Sequence, residues 1–414
     1  GAAFRFAFAY FVLYNFPFPL GYLPYTDWPG EKYQALWHVI VPWVGTHVLH
    51  LGHPVTIFTN GSGDTTYDYV LALCFLFLAA FAALLWTLLD RHRSSYPQLH
   101  QWLRLYVRLS LGATMISYGA YKVIPSQFPP PTHSRLVESF GEASPMGLLW
   151  AFMGASKGYS IFAGLVEFIG GALLFVPRLV TLGALVTAAA LTNIFMLNMC
   201  YDVPVKLYSF HLLLMAIFLL VPDLGRLANF FVLNRQTDSA PHVPFFQRKW
   251  LNAFLLAAQL VLGVLCAGSS LYQSRTQAKQ FSESSLGVPL GGIWSVEEFS
   301  MDGQLRPPLV TDELRWQRLI VDFSKRLALQ SMNGTRRYLG LELDAAKKSL
   351  ALTKGDDPNW KAQLTFETLE PGLITVEGPF EGHQIRAKLR KMDESKYLLN
   401  SRGFHWINEF PLNR

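Results

Sequence analysis

The chain has 414 residues, 51% of them hydrophobic and 15% charged, with a mean hydropathy of +0.23. That is too apolar for an ordinary soluble protein and too charged to lie wholly in lipid, so the apolar residues must be unevenly spread. The formal charge of +6 comes without a basic stripe interleaved with aromatics, which excludes nucleic acid as an expected partner and assigns the excess to lysines and arginines at helix ends.

Residues 1–272 are mostly apolar runs, and the chain beyond Tyr272 is mixed and polar. Because the chain begins at Gly1 rather than Met, its N-terminus is expected to be incomplete. A helix needs roughly 20 apolar residues to cross a bilayer, and the first run, 2–23, reaches that length before Pro24, Asp27, Pro29 and Gly30 break it. Residues 37–53 are shortened by Pro42 and Gly45 and read as an interfacial segment anchored by Trp37 and Trp43. Within it His47 and His50, three apart, would share a helix face, a spacing that suits a metal or haem; four solvated histidines are the competing reading. The polar loop 59–66 holds Asp64 and two glycines, but lacks the lysine and helix that phosphate cradling needs.

The second span covers 69–89. The third, 102–123, carries Arg108 near its start and Tyr121-Lys122 at its end; QFPPPT at 127–132 cannot be helix, and 145–155 reads as a half-helix at the interface. The fourth span carries Glu167, and Pro177-Arg178 turns it back into the fifth, 179–200, which holds Asn193. Asp202 and Lys206 flank Pro204 before the sixth span, 207–221, with His211; the seventh is 250–272.

Short-loop arginines and lysines prefer the cytoplasmic side, and Arg91, Arg93, Arg104, Arg178 and the basic residues of 226–249 all fall on one side of a seven-span arrangement. The YDVPVK loop and everything after Tyr272 then face outward. At about 1.5 Å per residue, Glu167, Asn193 and His211 lie at one depth, roughly a third of the way in, below Lys122, Asp202 and Lys206. An ionisable group at membrane depth costs about 2.5–3.5 kcal/mol on insertion scales and so marks a pathway or site. The expectation is one outward chamber in which Glu167 and His211 pass protons and Lys122 or Lys206 holds an anion, with Asn193, Asp202, Tyr121 and Arg108 binding the ligand. The bland alternative pairs Glu167 with Arg108 or Lys122 and leaves Asn193 and His211 as interhelical hydrogen-bonding groups. Cys74, Cys200 and Cys266 read as small apolar fillers in helices, although an oxidising outer compartment would permit a disulfide between two of them.

The YGAYKVIP end of the third span, GLVEFIGGALLF and MLNMCYDVPVKLYSFHLLLMAIFLLVPD resemble the DoxX-like family of bacterial membrane proteins, over roughly residues 100–235. The resemblance implies a four-helix membrane core, quinone as cofactor, and association with redox complexes of the bacterial inner membrane, with other subunits and membrane lipids as partners. The extra spans and the long tail set this chain apart from the short members. A more distant likeness, in architecture alone, is to vitamin K-dependent carboxylases, where Lys122 or Lys206 would have to act as a base.

After an expected linker, 273–289, residues 290–414 alternate with period two around Leu339, Leu341 and Leu343, Leu364 and Phe366, Ile374 and Val376, and Ile385, Ala387 and Leu389. Turns are signalled at Asp302-Gly303, Asn333-Gly334, 355–357, Pro371-Gly372 and Glu381-Gly382. Eight or nine such strands predict an antiparallel barrel or sandwich, best an up-and-down barrel, and Gly292-Ile293-Trp294 with Arg402 faintly resembles lipocalin-like barrels. The tail end, with His405, Trp406 and Glu409, reads as an aromatic plug for the barrel or a dock on the membrane half. The fold class is thus a seven-span α-helical membrane bundle over 1–272 with an outward, periplasmic β domain. Its function reads as quinone-linked redox protein or, alternatively, as accessory subunit of a larger membrane complex.

Overall fold

A computed structural model describes residues 1–22, 25–93, 95–239, 243–285, 288–357 and 359–413. Two compact units divide the chain: residues 1–127 with 158–275, and residues 128–157 with 276–414.

The first unit is helical: α1 (Ala2–Asn15), α2 (Trp28–His47), α3 (Thr66–Leu89), α4 (Pro97–Val123), α7 (Lys157–Phe175), α8 (Val180–Cys200), α9 (Lys206–Leu220), α10 (Leu224–Phe231) and most of α11 (Lys249–Ser285), with α5 (His133–Leu136) and α6 (Pro145–Ala155) in the second unit. Among the described residues five helices are long and apolar enough to cross a membrane: those starting at Thr66, Lys157, Pro177, Lys206 and Lys249. Two of the seven expected spans are not among them. The first is only α1, because Phe16 and Phe18 each precede a proline, and a residue before proline is pushed out of the helical region. The third is α4, whose 27 residues make about 40 Å of helix but include Arg104, Arg108 and Lys122. Those polar groups are tolerated because α4 is the most enclosed helix, with buried residues from Leu103 to Lys122.

Pro42 does not stop α2, which runs on to His47; Trp37 packs on Phe75 of α3, and the Tyr33 hydroxyl donates to Leu13 of α1. The expected linker is a further difference. Helix α11 continues through Ser285, so residues 273–285 are helical, and the boundary between the units falls inside that helix. The expected break at Pro24 and the linker residues Leu286 and Gly287 lie outside the described residues.

The second unit is a closed, eight-stranded antiparallel barrel. β1 (Gly292–Met301), β3 (Trp316–Phe323), β4 (Arg326–Ser331), β5 (Arg336–Asp344), β6 (Ser349–Thr353), β7 (Lys361–Glu370), β8 (Leu373–Phe380) and β9 (His383–Lys391) follow in chain order, β1 pairs with β9 to close the ring, and the two-residue β2 (Gln304–Leu305) is a hairpin arm on β1. Asp302-Gly303 and Glu381-Gly382 make their turns with φ positive at both positions, the geometry tight hairpins require. Inward residues fill the barrel: Phe299, Trp316 and Phe380 interlock, and Leu339, Leu341, Leu364, Ile374, Val376, Ile385, Ala387 and Leu389 are all buried in one cluster.

Residues 128–157, expected within the membrane half, belong to the barrel unit. The proline run delivers α5 onto β3, where the Ser134 N–H donates to Asp322 at 3.0 Å, Arg336 donates to the Val137 carbonyl at 2.6 Å, and His133 Nε2 lies 3.1 Å from Glu394. The α12 turn (Leu398–Ser401) leads into a C-terminal segment that is no plug: Trp406 is 91% exposed, and His405 and Glu409 are exposed beside it. Arg402 bonds Asn408 there, and it is Lys391 that lies over the Trp294 ring, at 5.9 Å.

Candidate functional site

The geometry of the helical unit starts from four glycines. Gly112 and Gly119 of α4 face Gly171 and Gly164 of α7, and these backbones lie so close that a Cβ on Gly119 would sit 2.5 Å from the Phe168 nitrogen and one on Gly164 2.7 Å from Lys122 Cβ. That approach delivers Lys122 to Glu167. The ammonium donates to both carboxylate oxygens, at 2.5 and 2.6 Å, and the two side chains are only 8% and 5% exposed. Of the two partners weighed for Glu167, Lys122 is the one it has. The pair neutralises itself, so Lys122 is not a free cation and Glu167 not a free base.

His211 is equally occupied. Its Nδ1 lies 2.7 Å from the Leu207 carbonyl, which can only accept, so the proton sits on Nδ1 and Nε2 accepts from the Tyr10 hydroxyl at 2.5 Å. Tyr14 stacks on the ring with centroids 4.3 Å apart and planes 7° off parallel. Asn193 goes elsewhere again, on the exposed side of α8. The three residues expected to share a chamber therefore serve separate neighbours. Spacing along the chain sets only a residue's height on its own helix, and the rotation of each helix, which decides where a side chain points, is not written in it. The buried amide of α8 is Asn198, which donates to Ser209 at 3.0 Å.

Lys206 is tied to the loops. Its ammonium lies 2.8 Å from Asp202, itself 84% exposed, and 3.7 Å from Asp64. Asp64 accepts the backbone N–H groups of Lys206 and Leu207, each at 2.8 Å, and so caps the start of α9 from the 59–65 loop. The Tyr121 hydroxyl donates to Gln273 at 3.3 Å, and Arg108 donates to Gln259. Lys122 is closed off by its buried pair, whereas Lys206 is held only by carboxylates at the loop surface. His47 and His50 do not share the helix face on which the metal reading rests. His50 lies beyond the end of α2 with φ 51°, His47 hydrogen-bonds Trp43 and stacks on its indole, and no group of metal-ligating side chains occurs among the described residues. The three cysteines are free thiols, Cys74 and Cys266 buried and Cys200 exposed.

What the structure does hold is a pocket of about 500 Å³ at the loop end of the bundle. Tyr14, Tyr118, Tyr208, Phe75 and Phe58 form its walls, backbone from Gly61 to Gly63 its rim, and Asp68 is its one charged residue among those described. One oxygen of Asp68 is engaged by Thr65 in a capping box at the start of α3. Tyr118 sits one turn from Lys122 on α4, so the buried ion pair sets the rotation of the helix that forms this wall. Sequence reading missed the tyrosines because each lies singly in an apolar run, where it is indistinguishable from a core aromatic. A pocket of phenols and phenyl rings with one acid and no base suits a flat neutral ring and repels an anion.

No family model matches the chain, and no solved structure matches it. A 118-residue stretch, 28% of this chain, is 32% identical to the uncharacterized protein YwoB of Bacillus subtilis (strain 168) and covers 73% of that protein. Through that stretch the chain belongs to the family of YwoB.

Proposed function

We propose that the helical unit is embedded in a bacterial inner membrane as a DoxX-like bundle, with its loop end and the barrel outward, and that its tyrosine-walled pocket takes the headgroup of a membrane quinone. The observation that carries this reading is the pocket itself: its volume fits a substituted ring, its walls offer π-faces, and its hydroxyls can bond quinone oxygens. The five long apolar helices support the membrane setting, and the arginine-rich loops at the other end support the orientation. With Lys122 and His211 both committed to buried partners, the protein serves as a quinone-holding subunit of a redox complex rather than as its catalyst. A barrel filled by its own side chains fits this role, since it offers a partner surface and not a cavity.

Titrating the purified full chain in detergent with a short-chain quinone, followed by quenching of intrinsic fluorescence, tests the proposal. Saturable binding, weakened at least tenfold by Tyr208→Ala and by Tyr118→Ala, is expected. Absence of saturable binding, or binding indifferent to both substitutions, refutes it.

A further inference from the structure

At the arginine end of the bundle the charges do not balance. Asp223, after α9, is shared: Arg226 donates to one oxygen at 2.8 Å, Arg104 lies 3.6 Å from the other, and the Thr181 hydroxyl donates to that same oxygen at 2.9 Å. Arg108, one turn beyond Arg104 on α4, is only 8% exposed, yet among the described residues no carboxylate lies within ion-pair reach of it. Among the described residues its partner is the side-chain oxygen of Gln259, and its buried Nε has none. Gln259 is itself fixed, donating to the Leu255 carbonyl at 3.1 Å, so it holds the guanidinium in place without neutralising it. Two guanidinium groups thus share one carboxylate, and the third, Arg108, has none.

A buried cation without a counter-charge is among the most costly arrangements a protein can hold, and it persists where an anion completes it. Arg104 hydrogen-bonds the Leu219 carbonyl at the end of α9, which places it level with the helix ends, and Arg108 lies about 6 Å deeper. That depth is within the reach of a long side chain extending toward a lipid headgroup. Basic pockets between membrane helices on the cytoplasmic side bind phosphate-bearing headgroups, and the forked guanidinium matches phosphate oxygens. We propose that Arg104 and Arg108 form a binding site for a phosphate group, with Gln259 as the positioning residue. The site rests on the membrane reading of the bundle and is independent of what fills the tyrosine pocket.

The test uses the full chain, delipidated in detergent, with native mass spectrometry and thermal unfolding in three arms: phosphatidylglycerol, phosphatidylcholine and inorganic phosphate. Retention of and stabilisation by phosphatidylglycerol, at least tenfold above phosphatidylcholine and lost in Arg108→Gln, assigns the site to an anionic lipid. The same response to inorganic phosphate at matched concentration assigns it to the free anion. Should Arg108→Gln fail to fold, Arg104→Gln, at the more exposed of the two positions, carries the comparison. No preference for either anionic phosphate over phosphatidylcholine, whose own phosphate is offset by its choline cation, or a preference that survives in the arginine variants, overturns the proposal.

Discussion

Breaking the Lys122–Glu167 pair from either side should be far worse than removing it whole. Each partner is less than a tenth exposed, so Glu167→Gln strands an ammonium and Lys122→Met strands a carboxylate where water cannot reach. At 2.5–2.6 Å and an effective dielectric near 20, the gross attraction lost is about 6 kcal/mol, and with relaxation each single change should cost about 3–5 kcal/mol. Lys122→Met with Glu167→Leu leaves no buried charge, keeps similar volume, and should return to within about 1 kcal/mol of the parent or exceed it. The assay is reversible unfolding of the full chain in mixed detergent micelles, evaluated as a double-mutant cycle, with quinone titration of each folded variant. Single variants within about 1 kcal/mol of the parent, or a double variant as unstable as the singles, would refute a structural role. A double variant that folds but no longer binds quinone would show instead that the pair acts on the pocket.

Gly164→Leu should separate α4 from α7, costing about 1–3 kcal/mol by overpacking and more if the helices cannot part, and the loss should appear in the same micelle assay together with weaker pocket binding. Asn193→Leu should leave quinone binding unchanged and stability equal or higher, because the amide lies on an exposed face of an apolar helix; a binding defect would return Asn193 to the site. In the barrel, burial alone would raise the Glu381 carboxyl, but Arg337 at 2.7 Å and Lys354 at 3.0 Å outweigh it and hold the group below its ordinary value. The stabilisation from Glu381 is then complete above the usual carboxylate range and fades as pH falls through its depressed value. Protection from hydrogen exchange at the β8–β9 turn of the full chain, taken relative to the intrinsic rate at each pH, should fall on acidification, and Glu381→Gln should remove that part of the pH dependence.

The barrel was the most legible part of the chain because its signal is local: alternation at Leu339, Leu341 and Leu343 and turn pairs such as Glu381-Gly382 fix strand faces and hairpins without reference to anything distant. Apolar length placed most of the helices just as well. Rotation about each helix axis was another matter. Asn193 and Asn198 differ by about 500° of helical phase at 100° per residue, and an apolar run with no amphipathic stripe gives no means of telling which of them is enclosed. Residues 128–157 failed for a different reason, since the element that packs on the barrel is the four-residue α5, too short to carry a periodic signal, and its partner strands begin more than 150 residues further along.

Helix α4 ties these observations together. It is the least apolar of the expected spans and the most enclosed, and its polar residues follow one another along a single helix: Arg104 and Arg108 near one end, Tyr118 on the pocket wall, Lys122 at the other end locked to Glu167. The intervals 104–108 and 118–122 are each one turn, so each pair shares a face, while the glycines at 112 and 119 press the helix against α7 between them. A helix this polar is stable among apolar neighbours only if its charges are matched there. Lys122 is matched within the chain, and Arg108 is not. That contrast separates a residue that holds the bundle together from one that awaits something outside it, and it argues that the binding chemistry of this protein runs along α4 rather than through the α8–α9 loop where the sequence places its conspicuous charges.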